Sequence, residues 1–260
     1  MIIAQITDTH IQLAGPDAPN SEARAADLRR AVADINDLET PPDAVIHTGD
    51  MTQNAQPEEY ARAREILGSL RAPLYVTPGN RDSRTEIAAA FSDCYEMLDA
   101  NGFIIYAVDD HPVRLIAFDS LSGNSNRGDF CQARLDALDA KLAAAPEKPT
   151  VVFMHHPPFE TAAEINPYQY ERLEAKAEIT DVLSRHRQVI RVLCGHAHRF
   201  GTAWLGDVEA STQPCLATEL RKGVYPTQMA DAVIYQLHFF DGGGKLFSQA
   251  RIVNGLAAAA

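Results

Sequence analysis

The stretch Ile2-Ile3-Ala4-Gln5-Ile6-Thr7-Asp8-Thr9-His10 begins as an apolar run and ends in a carboxylate and an imidazole. Its length and its β-branched residues predict a buried β-strand over residues 2–7. Side chains that directly follow a buried strand stand at the edge of the sheet, where open α/β folds place their chemistry. The stretch therefore predicts an α/β fold whose functional site begins at Asp8 and His10.

The same arrangement recurs at four later positions, each an apolar run of strand length that ends in polar side chains. These positions are Gly49-Asp50, Gly79-Asn80-Arg81-Asp82, Met154-His155-His156-Pro157-Pro158 and Gly195-His196-Ala197-His198. Five such strand ends at one sheet edge are hard to explain as structure alone, because buried polar groups are costly without partners. A dinuclear metal site would supply the partner. Mixed imidazole and carboxylate donors suit Zn, Fe or Mn, whereas Mg and Ca prefer oxygen donors.

Strand-like runs alternate with helical patterns through the first three quarters of the chain. Strands are predicted at residues 2–7, 44–48, 74–77, 104–108, 115–118, 151–155 and 189–194. Helices are predicted at residues 21–38, 57–70, 85–98, 133–144 and 170–186. Residues 232–240 and 246–253, separated by a Gly-rich turn, predict a closing hairpin. With no repeat and no low-complexity linker, the pattern favours a layered α/β sandwich in one domain over residues 1–260.

Composition limits the classes of partner. The 260 residues are 46% hydrophobic and 22% charged, an ordinary globular composition. The net charge of −12 argues against extended nucleic acid, which is bound through a broad Lys- and Arg-rich surface. The chain shows no secretory signal and no apolar run of membrane-spanning length, so we expect a cytoplasmic protein with no membrane partner. Its four scattered cysteines predict reduced thiols.

In their order, these motifs resemble the calcineurin-like metallophosphoesterase superfamily, whose pattern runs D-x-H, G-D, G-N-H-D/E, H and G-H-x-H. The resemblance spans about residues 1–200. It is nearest to the bacterial class III cyclic-nucleotide phosphodiesterase and glycerophosphodiesterase branch, on length and on the His-His-Pro-Pro and Gly-His-Ala-His segments. It implies a four-layer α/β/β/α sandwich of mixed sheets. It also leads us to expect a small cap or dimerisation element after residue 200, and a homo-oligomer formed through it.

Carried over position by position, the resemblance implies two divalent cations per chain, Mn, Fe or Zn. The first would be held by Asp8, His10 and His198, the second by Asn80, His156 and His196, with Asp50 bridging them. The cations would share a hydroxide that attacks the phosphorus in line. His155 is the alternative to His156. Strand alternation would place the two on opposite faces, and we predict that His156 is the ligand and His155 a supporting or core residue.

Arg81 stands where the family pattern has a histidine near the leaving group or the phosphate. Arginine does not donate a proton near neutral pH, but its N–H groups can grip a phosphate oxygen. We therefore predict that Asn80, Arg81 and His198 bind substrate and that Asp50, Asn80 and Arg81 are catalytic. Asp82 is expected to orient a neighbouring ligand through a hydrogen bond.

Two other groups of residues have both a functional and a structural interpretation. The polar segment 120–129 would line a substrate pocket or satisfy the backbone of turns, and the turn interpretation is favoured. The aromatic residues Phe159, Tyr168 and Tyr170 would cover the site or anchor packing.

The function that these expectations favour is hydrolysis of a small phosphodiester, either a 3′,5′-cyclic nucleotide or a glycerophosphodiester. Phosphomonoester hydrolysis is the main rival among enzyme activities. A non-catalytic scaffold of the same fold is the alternative from another class, and its only support is the arginine at position 81. All seven ligand candidates remain, which argues against the scaffold.

Overall fold

The computed structural model of the chain describes residues 1–161 and 169–253, so Tyr168 and the C-terminal alanine run lie outside the described residues. The strands are β1 (Ile2–Ile6), β2 (Ala44–His47), β3 (Leu74–Val76), β4 (Tyr106–Val108), β5 (Arg114–Ala117), β6 (Thr150–Phe153), β7 (Val189–Cys194), β8 (Gly201–Leu205), β9 (Val208–Thr212), β10 (Val233–Phe240) and β11 (Leu246–Val253). The helices are α1 (Ser21–Asn36), α2 (Pro57–Leu67), α3 (Arg84–Ala90), α4 (Gln132–Ala143) and α5 (Ala175–Ser184).

The strands form two mixed sheets. Sheet 1 has the order β11-β10-β1-β2-β3, and sheet 2 has the order β4-β5-β6-β7-β9-β8. The central strands β1, β2 and β3 are parallel, as are β5, β6, β7 and β9. Antiparallel pairs lie at the margins of both sheets. Parallel strands end at the same edge of a sheet, so this topology brings the polar strand ends together.

Alternation along β6 shows how the layers pack. Val151 and Phe153 join the apolar core that sheet 1 and helices α1 to α3 share. Val152 points the other way, into a second core with Leu138 of α4 and Ile179 of α5. Sheet 2 therefore buries both faces, and the layers run helices, sheet 1, sheet 2, helices. The predicted four-layer α/β/β/α sandwich is confirmed.

The predicted elements match the structure apart from shifts of up to three residues at their ends and three larger differences. Strands β8 and β9 were not predicted, because β8 is half-exposed and β9 is rich in polar residues, so both lack the apolar run that marked the other strands. The helix predicted at 85–98 ends at Ala90, and residues 91–94 form turns instead. The helix predicted at 170–186 begins only at Ala175, because Tyr170 forms a bridge with Gly128.

Residues after 200 contribute to both sheets. The β8–β9 hairpin completes sheet 2 and the β10–β11 hairpin completes sheet 1. A cap or dimerisation role for this region stays a prediction, as does the single domain over residues 1–260. Within residues 1–161 and 169–253, no helix combines the length and the apolar character needed to cross a bilayer.

Candidate metal centre

The loops that follow the strands hold the predicted ligands in an uncommon backbone conformation. Among the described residues, positive φ at non-glycine positions occurs at Ala55 and at five predicted ligands, Asp8 (52°), His10 (46°), Asp50 (52°), His196 (66°) and His198 (55°). Such a conformation costs an L-residue about 1–3 kcal/mol and persists where the surrounding structure imposes it. The strain is therefore concentrated at the strand ends where the sequence predicts the site.

Two glycines allow these loops to approach each other. A Cβ on Gly79 would lie 2.2 Å from the amide nitrogen and Oδ1 of Asp50. A Cβ on Gly195 would lie 2.1 Å from Oγ1 of Thr7 and 2.8 Å from Oδ2 of Asp8. Real Cβ atoms do not approach this closely, so only glycine fits where the neighbouring loops carry the two carboxylates.

The first donor set consists of Asp8, His10, Asp50 and His198, whose potential ligand atoms all lie within 4.8 Å of one another. Nε2 of His198 is 3.1 Å from Oδ1 of Asp8 and 3.4 Å from Nε2 of His10. Nε2 of His10 is 3.6 Å from Oδ2 of Asp50. Donor atoms from the ends of three strands thus converge on one small volume.

The second donor set consists of Asp50, Asn80, His155 and His196. Oδ1 of Asn80 is 2.9 Å from Nδ1 of His196 and 3.1 Å from Nε2 of His155. The two imidazole nitrogens are 3.3 Å apart, and Nε2 of His155 is 3.4 Å from Oδ1 of Asp50. Asp50 therefore belongs to both sets, with Oδ2 towards the first and Oδ1 towards the second.

The donor atoms fit divalent cations. Oδ1 of Asp8 is buried without a hydrogen-bond partner, although Nε2 of His198 is only 3.1 Å away. Leaving such an oxygen without a partner costs about 1–3 kcal/mol or more, whereas a cation satisfies it. Ligands held about 2.0–2.2 Å from one cation lie about 3.0–3.5 Å apart, the range in which most of these separations fall.

The ring nitrogens that face away from the donor sets fix the imidazole tautomers. Nδ1 of His155 is 2.7 Å from the Thr48 carbonyl, and Nδ1 of His198 is 2.9 Å from the Leu220 carbonyl. Nδ1 of His10 is similarly 3.1 Å from the side-chain oxygen of Gln53. Each oxygen accepts a hydrogen from Nδ1, so each Nε2 keeps a lone pair directed into the site, as in histidines that bind metals.

His156 has a different set of contacts. One of its ring nitrogens lies within 4.8 Å of ring nitrogens of His155 and His196, so His156 belongs to the same histidine cluster. Its Nδ1, however, is 2.9 Å from Oγ of Ser120 and its Nε2 is 3.3 Å from the carbonyl of Asn126, so both ring nitrogens have hydrogen-bond partners other than Asp50 and Asn80. The expectation that His155 and His156 occupy opposite faces is wrong, since their ring centroids are 4.8 Å apart and both rings lie beside His196. The physical reason is that β6 ends at Phe153, and strand alternation does not extend into the bend that follows.

The two buried carboxylates of the site, Asp8 and Asp50, favour positive charge beside them. Burial alone would raise the pKa of Asp8 and Asp50, but the neighbouring histidines hold both well below their usual range. Burial would lower the pKa of His155, whereas the charges of Asp50 and Asp8 raise it to about 9. A bound cation would supply the same positive charge while leaving the imidazole neutral and able to coordinate.

Asp82 fixes the loops after β2 and β3 relative to each other. Its buried carboxylate accepts hydrogen bonds from the amides of Gly79 (2.9 Å), Met51 (3.1 Å) and Thr52 (3.2 Å) and from the hydroxyl of Tyr60 (3.0 Å). Burial, together with the charge of Asp50, raises the pKa of Asp82 to about 6. The carboxylate thus holds the two loops that present Asp50 and Asn80.

Substrate would approach the donor sets from the side where Asn80, His196 and His198 are partly exposed. Arg81 is exposed beside them, and its backbone N–H donates to Oδ1 of Asp50 at 2.7 Å. Two predicted aromatic candidates are structural, because Phe159 and Tyr170 are buried in the second core.

Three features of the donor sets were not predicted from the sequence: the direction of the His155 ring, the contact of Gln53 with His10 and the contact of the Leu220 carbonyl with His198. The Asp-Met-Thr-Gln run after the β2 strand was the only sequence signal for Gln53. No local pattern identifies a backbone carbonyl from a distant loop.

Residues 1–200 match the family model described as calcineurin-like phosphoesterase. The chain belongs to this family. Membership makes this calcineurin-like phosphoesterase a metal-dependent phosphoric ester hydrolase, and its His and Asp clusters are the part of the fold suited to metal ions.

Named relatives of this calcineurin-like phosphoesterase are phosphodiesterases. It is 32% identical to a probable glycerophosphodiester phosphodiesterase GpdQ of Arcobacter nitrofigilis, over 92% of this chain and 89% of the relative. It is 27% identical to the 3′,5′-cyclic adenosine monophosphate phosphodiesterase CpdA of Escherichia coli, over 76% and 69%. Among solved structures, a dimetal phosphatase from Danio rerio shares the fold, with a TM-score of 0.71 at 15% identity and coverage of 97% and 96%.

Proposed function

We propose that this enzyme hydrolyses a small phosphodiester at a dinuclear metal centre. The observation that carries the proposal is the position of Asp50 between the two donor sets. Its Oδ2 lies 3.6 Å from Nε2 of His10, and its Oδ1 lies 3.4 Å from Nε2 of His155. A carboxylate that offers one oxygen to each set suits a bridge between two cations.

The ligand set that we propose differs from the sequence prediction at one position. As in the sequence prediction, Asp8, His10 and His198 would hold the first cation, and Asp50 would offer an oxygen to each cation. For the second cation we propose Asn80, His155 and His196, because His155 keeps a lone pair directed into the site while both nitrogens of His156 are engaged elsewhere. Mn, Fe and Zn all remain suited to these donors.

When bound, two cations acidify a water for attack on phosphorus and place positive charge beside the phosphoryl oxygens. The chain's own residues orient the ester. Asn80 turns Oδ1 towards His155 and His196, which leaves its N–H2 group to donate to a phosphoryl oxygen. The Arg81 guanidinium, exposed next to Asn80, provides a second hydrogen-bond donor, which carries a full positive charge.

The substrate class follows from the relatives and from the charge of the chain. The GpdQ and CpdA relatives are named for glycerophosphodiesters and for a cyclic nucleotide, and both are small diesters. The net charge of −12 is unfavourable for polymeric nucleic acid, so the phosphate must be held locally at the centre. A cytoplasmic location and a homo-oligomer formed through residues after 200 complete the proposal.

The test measures metal content together with turnover of bis-p-nitrophenyl phosphate and of p-nitrophenyl phosphate, before and after EDTA, with Mn added back. We expect about two metals per chain, loss of activity on chelation, recovery with Mn and preference for the diester. Preference for the monoester would support the rival phosphomonoesterase. Two bound metals without turnover of either ester would support the scaffold. Natural diesters are then compared, with glycerophosphocholine against 3′,5′-cyclic AMP.

A further inference from the structure

His156 stands between the metal centre and a polar loop. Its ring is completely buried, with its centroid 4.5 Å from that of His196. Oγ of Ser120 accepts the backbone N–H of His156 at 3.1 Å, which leaves the hydroxyl hydrogen for Nδ1 at 2.9 Å. Nε2 then carries the ring hydrogen and donates it to the Asn126 carbonyl at 3.3 Å. The ring therefore connects the second donor set to the backbone of the loop.

The base of this loop, which we call the 122–127 loop, packs against His156. Leu121 and Gly128 form a bridge across its base, and the amide of Gly128 donates to the Gln169 carbonyl at 2.9 Å. A Cβ on Gly128 would lie 2.8 Å from Cγ of His156, so the base of the loop packs directly on this ring. The loop therefore cannot move from the centre without breaking contacts with His156.

Glu171 anchors the loop from its other side. The hydroxyls of Ser122 and Ser125 donate to Oε1 of Glu171 at 2.5 and 2.8 Å. These hydrogen bonds, with the nearby charge of Arg127, lower the pKa of Glu171. Because the carboxylate of Glu171 packs against the loop and offsets the charge of Arg127, the loop is poorly suited to a second phosphate. Its exposed tip, residues 123–127, offers amide and hydroxyl groups that suit neutral hydroxyl-bearing ligands.

We infer that His156 is a positioning residue that holds the 122–127 loop against the metal centre, and that the loop, with the Asn126 amide foremost, recognises the hydroxyl-bearing alcohol group of the diester. This inference rests on the proposed diesterase function. The Asn126 backbone carbonyl bonds to His156 while its exposed side chain remains available at the loop tip. Glycerol and ribose share the chemistry that such a group would recognise.

The first arm of the test removes the recognition group. Asn126→Ala deletes the amide but keeps the carbonyl that bonds to His156. We expect the ratio of kcat/KM for glycerophosphocholine to that for bis-p-nitrophenyl phosphate, which has no hydroxyl groups, to fall about tenfold, the effect of one lost hydrogen bond. The same ratio measured with 3′,5′-cyclic AMP distinguishes glycerol from ribose. Asn101→Ala, in an exposed turn of another loop, is the matched control and should leave the ratios unchanged.

The second arm separates positioning from general stability. His156→Phe keeps a ring but loses both hydrogen bonds, and His156→Gln retains a donor and an acceptor. We expect His156→Phe to keep about two metals per chain. It should lower the ratio of kcat/KM for glycerophosphocholine to that for bis-p-nitrophenyl phosphate, mainly by raising KM for glycerophosphocholine. His156→Gln should restore part of this ratio. Equal losses on all esters, or loss of a metal, would overturn the inference. Absence of wild-type turnover on bis-p-nitrophenyl phosphate would instead overturn the proposed function, and the inference with it.

Discussion

Adjacent histidines at one strand end have different chemistry because different acceptors hold their rings. The Thr48 carbonyl takes the hydrogen of His155, and the Asn126 carbonyl takes that of His156. We expect His155→Asn to retain about one metal per chain and His156→Asn to retain about two. Metal analysis after gel filtration measures this, with thermal unfolding confirming that both variants fold. Retention of both metals by the His155 variant and loss by the His156 variant would reverse the assignment.

Arg81 is the residue at which this chain departs from its family pattern. Because its side chain is exposed, its replacement should change catalysis without changing the fold. We expect Arg81→Ala to lower kcat/KM on bis-p-nitrophenyl phosphate about 10- to 100-fold, the effect of losing one charge-assisted hydrogen bond. Arg81→His should retain activity and gain on esters with poor leaving groups, since imidazole can donate a proton. Arg29→Ala, exposed on α1, is the control. An inactive Arg81→His enzyme with two metals bound would contradict this role.

At the scale of elements, the site depends on loops that are joined to each other rather than on single strands. Asp82 accepts hydrogen bonds from the loops after β2 and β3, including those from Met51 and Gly79. We expect Asp82→Asn to lower the free energy of unfolding by about 2–4 kcal/mol, because an amide presents hydrogens to donors. Metal affinity should fall about 10- to 100-fold, as when groups that orient metal ligands are lost.

Urea unfolding and metal titration test this expectation. Tyr60→Phe, which removes one of the donors to Asp82, serves as a graded control and should cost only about 1 kcal/mol. If the Asp82 variant bound metals as tightly as the wild type, the carboxylate would not be needed to position Asp50 and Asn80.

The sequence predicted the buried strands well but did not predict the polar strands or the start of α5. Buried strands such as β1 and β7 were predicted because both their length and their apolar character are local properties. Strand β8 is the half-exposed edge strand of sheet 2 and β9 is short and polar, so the pairing of β9 with β7 and of β8 with β9 depends on tertiary context. The late start of α5 has the same origin, since Tyr170 is held by a bridge to Gly128.

For the whole molecule, bound metal should contribute to stability. The donor sets bring two carboxylates and four imidazoles into a buried volume, where Oδ1 of Asp8 has no hydrogen-bond partner and a cation would satisfy it. Metal at about a hundredfold excess over its Kd would add about 2.7 kcal/mol, or about 5–10 °C in Tm for a chain of this size. We expect EDTA to lower the Tm of the wild type by that amount and to have little effect on Asp8→Ala. Equal responses would place the stabilising metal elsewhere.

Away from the metal centre, His238 should make stability depend on pH. Burial, with the charge of Arg191 adding to it, lowers the pKa of His238 to about 3, below the unfolded value of 6.5. The unfolded chain therefore binds a proton that the folded chain does not, and stability falls as pH drops below about 6.5. Between pH 7.5 and 5.5 the wild type should lose about 1.4 kcal/mol more than His238→Gln.

Urea unfolding of the wild type and of His238→Gln in EDTA isolates the contribution of His238 to the pH dependence of stability. The proposed ligand histidines are common to both proteins and cancel in the comparison. Gln5 and Ser248, the hydrogen-bond partners of His238, are unchanged in the variant. An equal loss in both chains would show that the His238 ring is not kept neutral by burial.

By itself, the sequence determined the α/β sandwich, the five polar strand ends and the order of the motifs, because strand periodicity and residue type are properties of short segments. Only the tertiary structure decided that His155 rather than His156 faces Asn80 and Asp50, and that Gln53 and Leu220 orient the other rings. The physical reason is that side-chain direction beyond a strand end is set by the loop backbone. That backbone is held by contacts between loops distant in sequence, at positions where only glycine allows them to meet.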